Sequence, residues 1–296
     1  MGDVLAGIHA TWEFEPDAVL IRFERGIRTP KLFHALRERR IPHEALASVS
    51  LSPGKRGTVV LRAVPRPGAD PLMEVAAGQL KEGSDPYRLV LSAEREALAE
   101  TYADELRARL AGPEAAGPAE RFLVAAPQAP LQFKAYDGKA SFDGAEVAFR
   151  WFWTGASSAK WKAGDQSFRV RELSGVEWRS PDVLDGHLRL LPRDGGPRPA
   201  QADQDPAAVV FGLGYGPVHE SLPFAAAVLA AVRGAARAGC SGAAGGEPVA
   251  VAAAPRPGRD PAAVAERIRH LGELYQAGLV TDEEFAAKKA ELLAEL

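Results

Sequence analysis

The chain has 296 residues, 46% of them hydrophobic and 25% charged, with a formal net charge of -3 and a single cysteine. Near-neutral charge excludes a global pull toward nucleic acid or an anionic membrane, and a lone Cys240 excludes an internal disulfide. The opening "MGDVLAGIHATWEFE" lacks the basic start and apolar run of a signal peptide, so the expectation is a soluble, cytoplasmic chain of about two domains.

Short strands come first: "TWEFE", "AVLIRFERG", "RRIPHEALASVSL", "GTVVLRAVP", "PLMEVAA" and "YRLVLSA". Val19, Ile21 and Phe23 alternate, which is the period of a half-buried strand. Turns at "EPD", "SPGKRG" and "RPGADP" separate the strands. A helix over "SAEREALAETYADELRARL" follows, with Ser92 as its N-cap and Leu98, Tyr102, Leu106 and Leu110 on one face. Residues 111–130, rich in Pro and Ala, read as a linker.

Beyond it the pattern repeats at a shift of 128, with Phe14 on Phe142, Val19 on Val147, Arg22 on Arg150 and Phe23 on Trp151. "IPHEALASVSL" pairs with "FRVRELSGVEW", and "DPYRLVLS" with "DPAAVVFG". Such a match over about a hundred residues is two copies of one small domain, spanning 5–110 and 131–234. The second helix is "SLPFAAAVLAAVRG", with Ser221 near its start. The longer apolar stretch around it is broken by Arg233 and Arg237 and falls short of a membrane span. In each copy a bent antiparallel set of strands, plugged by one helix, predicts a small capped β-barrel.

Residues 235–259 carry too few large apolar groups to offset ordering entropy and read as a flexible linker. Residues 260–296 then hold two short helices. Asp260 and Pro261 start the first, Gly278 stops it, and Thr281 with Glu284 forms a capping box for the second. Ile268, Leu271, Tyr275, Phe285 and Leu292 mark the apolar faces of this hairpin. A piece this small does not fold alone, so its face needs another surface. That points to association with a protein, self or other.

The strand pairs, the "IP…L..V" strand and the single closing helix resemble bacterial pleckstrin-homology-like domains. The doubled arrangement, with "VLIRFERG" and "IPHEALASV", resembles the uncharacterised family called domain of unknown function 4429. The tail resembles the SHOCT (short C-terminal) domain at Leu271, Leu274, Gly278, Val280, Thr281, Glu284, Phe285, Lys288, Leu292 and Leu293. These resemblances imply an α+β fold of two tandem pleckstrin-homology-like barrels plus a helical hairpin. They imply no known activity.

Two segments invite a site. The run "IRFERGIRTPKLFHALRERR" contains Arg22, Arg28, Lys31, Arg37, Arg39 and Arg40, a candidate anion or lipid site by analogy with lipid-binding pleckstrin-homology domains. The competing reading is a solvated strand edge and charged loop, favoured because this copy is close to neutral overall; membrane binding is therefore carried as the alternative. In "RWFWTGASSAKWKAG", aromatics interleaved with Arg150, Lys160 and Lys162 could stack on bases, but Phe149, Trp151 and Trp153 have a strand period and read as core or a barrel-to-barrel contact, whereas Trp161, expected in a loop, is the candidate interface anchor. The glycines of "VVFGLGYGPVHESLPF" do not match G-x-G-x-x-G and read as a strand-to-helix joint. The six histidines are scattered, no metal site, cofactor or catalytic set is suggested, and nucleic acid is not the expected partner. The expected function is non-catalytic binding or scaffolding.

Overall fold

Alternation of apolar residues dictates the first strands. On β3 (Ala18–Phe23), Val19, Ile21 and Phe23 are buried while Arg22 faces solvent. On β10 (Glu146–Trp151), Val147, Phe149 and Trp151 are buried while Arg150 faces solvent. The computed structural model describes residues 3–110, 117–195 and 198–241. The candidate hairpin over 260–296, with Ile268, Leu271, Tyr275, Phe285 and Leu292, lies outside the described residues.

The first copy has an antiparallel sheet in chain order, formed by β1 (Asp3–Ala6), β2 (Ala10–Phe14), β3 and β4 (Glu38–Pro42). A second sheet holds β5 (Leu46–Pro53), β6 (Thr58–Pro65) and β7 (Arg88–Ser92). Three helices accompany them: α1 (Lys31–Leu36), α2 (Pro71–Ala76) and α3 (Glu96–Arg109). The second copy repeats the plan. β8 (Leu131–Lys134), β9 (Gly138–Phe142), β10 and β11 (Gln166–Arg169) form one sheet. β12 (Leu173–Arg179), β13 (His187–Pro192) and β14 (Ala208–Val210) form the other, with α4 (Ser158–Ala163) and α5 (Val218–Ser241) as helices. The fold is thus mixed α+β, and the described strand pairings leave the sheets open and antiparallel.

The repeat holds to the level of register. Phe14 pairs with Val19 in the first copy and Phe142 with Val147 in the second. A register shift follows Leu46 in β5 and recurs after Leu173 in β12. Each pair of sheets is tied at one corner, by Ile8 to Val90 in one copy and by Tyr136 N–H to the Val210 carbonyl at 2.9 Å in the other. Asp85 and Asp205 each accept a backbone N–H two residues on, just before the last strand.

Several local expectations are corrected. Ser92 ends β7, and α3 starts at Glu96 after a 3-10 turn without a side-chain cap. Of the expected face of α3, Leu106 is buried and Tyr102 and Leu110 pack against the core beside buried Ala99 and Ala103, while Leu98 is exposed. "PLMEVAA" is α2 and not a strand: Asp70 caps it by accepting Leu72 N–H at 2.8 Å, with Pro71 in its first turn. α5 continues through residues 235–241. Its face, with Leu222, Phe224, Val228 and Val232, enters a core made by the second copy's sheets together with Leu32, Leu72, Val75 and Ala76 of the first. The first copy's other apolar residues, among them Trp12, Ile21 and Leu89, form a separate core.

Candidate functional site

The basic segment runs from β3 through α1 to β4, and its cations divide into two groups. Arg22 donates to Glu13 at 2.7 Å across the neighbouring strand and lies 3.8 Å from Glu38. Arg40 bridges Glu15 at 2.9 Å and Asp17 at 2.6 Å. Arg39 points inward from β4 and is buried; it donates to Asp70 at 2.8 Å, whose other oxygen accepts the Tyr87 hydroxyl at 2.7 Å. Burial opposes the Arg39 charge, but the Asp70 carboxylate more than compensates and holds the guanidinium pKa above its usual value. Tyr87 is pushed well up by burial and by the same carboxylate. Arg39 is thus a crosslink between β4, the start of α2 and β7. Arg28, Lys31 and Arg37 are exposed and make no ion pair among the described residues.

The aromatic segment behaves differently from its reading. β10 ends at Trp151; Phe152 N–H then donates to the Asp137 carbonyl at 2.9 Å and the chain turns away. Trp153 therefore leaves the strand face and is more than a third exposed, not core as its period suggested. Trp161 lies on α4, not in a loop, and is partly buried against the second core. The two rings meet edge to face at 5.4 Å between centroids.

Next to Trp161 on α4 lies Lys160, one partner of a charge pair the sequence did not single out. The Lys160 side chain is completely buried and its ammonium donates to Asp137 at 2.5 Å. It also stands 5.0 Å over the Trp151 ring. The second Asp137 oxygen accepts Val210 N–H at 2.9 Å. Burial lowers the Lys160 pKa and raises that of Asp137, and each partner's charge works against the shift of the other. The pair fastens three pieces of chain together: the β8–β9 turn, the β10–β11 connection and the end of β14.

Those pieces carry exposed apolar side chains. An antiparallel meander puts the β8–β9 turn, the β10–β11 connection, the β12–β13 turn and the end of β14 at one end of the copy. Tyr136, Trp153, Val183, Leu184, Leu213 and Tyr215 are exposed on these four loops. The loops touch: Phe211 N–H donates to the Gly186 carbonyl at 2.8 Å, and the Tyr136 and Tyr215 rings meet edge to face at 6.3 Å. The glycine-rich joint shapes the last loop. Gly214 and Gly216 have φ of 80° and 64°, and a Cβ at Gly216 would collide with the Phe211 ring. Leu213 is thereby held at the apex, fully exposed. The rim thus exposes six large apolar side chains on four loops of the second copy.

The family described as Domain of unknown function (DUF4429) matches residues 12–107 and 140–229, and the one described as Short C-terminal domain matches residues 266–293. A comparison with curated proteins found no match.

Proposed function

Because the chain belongs to the family described as Domain of unknown function (DUF4429), with a short C-terminal domain behind the doubled region, we propose that it is a non-catalytic binding and scaffolding protein. In this reading the two copies are pleckstrin-homology-like modules, and the chain associates with itself or with a partner protein through the C-terminal helical hairpin. The six large apolar residues exposed on four loops at one end of the second copy carry the reading, since clustered exposed apolar surface marks binding sites. Asp137 and Lys160, whose pKa values burial moves in opposite directions, pair with each other in the interior, which supports a structural role for them. Arg28, Lys31 and Arg37 support a second reading, peripheral attachment to an anionic lipid or phosphate ligand, since their charges are unspent.

Sedimentation velocity of the full chain tests the proposal. Leu271→Asp with Phe285→Asp places two charges on the hairpin face, where each buried side chain contributes about 1.5–3 kcal/mol. The expected result is a fall in sedimentation coefficient with the circular dichroism of the sheets retained. An unchanged coefficient would remove the hairpin from the association.

A further inference from the structure

A cleft of about 460 Å3 in the first copy is lined on one side by β5, β6 and β7 and on the other by α2 and the loop that follows it. That volume suits a small organic molecule. Its apolar lining is Val60, Met73, Ala76 and Leu80, and its charged lining is Lys55, Arg62 and Arg88 with Glu82 and Asp85. Arg62 and Arg88 stand directly opposite each other on β6 and β7, where like charges repel. Arg88 meets Glu82 at 2.9 Å, while Arg62 lies 3.5 Å from Asp85, beyond a normal hydrogen bond. Lys55, in the β5–β6 turn, is exposed and makes no ion pair among the described residues. Of the charged neighbours in sequence, Glu74 is taken by Arg233 and Lys81 by Asp182, while exposed Arg56 adds only positive charge. The lining thus sets three cations against two carboxylates, an excess of one positive charge.

The second copy has the same arginine with its charge neutralised. The strand registers put Arg189 at the position of Arg62, Glu177 at that of Ser50 and Ala208 at that of Arg88. Asp205 precedes the last strand as Asp85 does. Arg189 is held between Asp205 at 3.0 Å and Glu177 at 3.6 Å with 11% of its side chain exposed, whereas the Arg62 side chain is 56% exposed. Relative to that cluster the first copy has one carboxylate fewer and one arginine more. Tying the middle strand to the connection before the last one requires neither change, so the two guanidiniums are left with capacity for a group from outside the chain. We propose that this cleft binds a small organic monoanion, a carboxylic acid whose carboxylate takes Arg62 and Arg88 and whose hydrocarbon body lies against Val60, Met73, Ala76 and Leu80. An excess of one positive charge matches a carboxylate better than a phosphate dianion, and the planar guanidinium fork matches its two oxygens. Ala76 and Leu80 also belong to the core around α5, so a bound acid braces the seam between the copies. The site needs neither the hairpin nor self-association.

The probe is hexanoate, titrated into the full chain beside hexanol and inorganic phosphate and followed by saturation-transfer NMR to about 20 millimolar, a range that captures weak ligands. Hexanoate should bind with a millimolar Kd. Hexanol, without the charge, and phosphate, without the hydrocarbon, should each bind about tenfold more weakly or worse. Ser50→Glu with Arg88→Ala gives the first copy the neutralised cluster of the second, at positions outside both cores. It should weaken hexanoate by about tenfold or more with the circular dichroism unchanged. Arg62→Gln, at a largely exposed side chain, should do the same, and decides alone if the double variant loses its fold. Hexanoate that does not bind, or that binds indifferently to both variants, overturns the proposal and leaves the hairpin reading standing. Phosphate binding as tightly as hexanoate would make the cleft a site for inorganic oxyanions, and hexanol binding as tightly would make it a plain apolar pocket; either result overturns the proposal as well.

Discussion

Lys160 occupies the third position of α4, where α1 of the first copy has Phe33. Phe33 stacks on Phe23 at 4.4 Å, and Lys160 stands over Trp151, the residue that the repeat aligns with Phe23. Where the first copy has an apolar contact, the second therefore has a buried ion pair, with Asp137 at the position of His9. Removing one partner leaves the other charged in a dry site, and such losses run to about 3–5 kcal/mol. Asp137→Asn should destabilise by that order in urea unfolding, and Lys160→Met similarly. The double variant should lose less than the sum, because no lone charge remains. Additive losses in that cycle would mean that the two groups act separately. Nothing in the sequence flags this pair. Lys160 lies between Trp161 and Ala159 in a stretch whose exposure depends on where β10 ends, and that end is set by the Phe152–Asp137 backbone bond. Arg39 is a similar case: alternation along β4 turns it inward with Ile41, but its partner Asp70 is remote in sequence.

Among the elements, α5 has the widest reach. It covers β12 of its own copy and α1 and α2 of the other. Arg233 on α5 forms a two-pronged pair with Glu74, one bond at 2.9 Å, and lies 4.6 Å from the Phe122 ring centre. Gln79, just after α2, donates to the Trp178 carbonyl at 3.1 Å and accepts Ser180 N–H at 2.9 Å. The seam is thus part core and part hydrogen-bonded strand end. Leu72→Ala, a substitution in the first copy, should cost about 2–5 kcal/mol by opening a cavity in the second copy's core. Hydrogen exchange should then rise in peptides from both 58–92 and 173–210. A rise confined to the first copy would show that the copies unfold separately. The repeat, the strand alternation and the existence of both closing helices were legible in the sequence, since each rests on local periodicity. α1 and α4 were not: each has only six residues, too few for a helical period to show. The seam was not legible either. Leu72 and Val75 lie in a segment that reads as a strand, whereas the Asp70 cap and Pro71 start a helix there whose apolar residues join the core of α5.

At the scale of the whole molecule, charge and exposed apolar surface compete to decide what the protein attaches to. The net charge is -3, and no helix among the described residues is long and apolar enough to cross a membrane. The candidate lipid site of six cations reduces to Arg28, Lys31 and Arg37 as unspent charges, because Arg22 and Arg40 pair with surface carboxylates and Arg39 is locked to Asp70. Each cation close to a phosphatidylserine-rich surface contributes about 1 kcal/mol, so three could hold a chain weakly at low salt. Acting against them, the chain as a whole carries a net charge of -3 and so has no global attraction to the same surface. Little co-sedimentation with phosphatidylserine vesicles is therefore expected for the unmodified chain, even at low salt. The informative variant is Arg28→Gln, Lys31→Gln and Arg37→Gln together, which touches only exposed groups. Arg39→Gln would confound the test, since it unpairs a buried carboxylate and destabilises the first copy. Strong binding by the unmodified chain, abolished by the triple variant and by about 0.5 M salt, would move the function to the membrane surface and leave the rim a secondary feature.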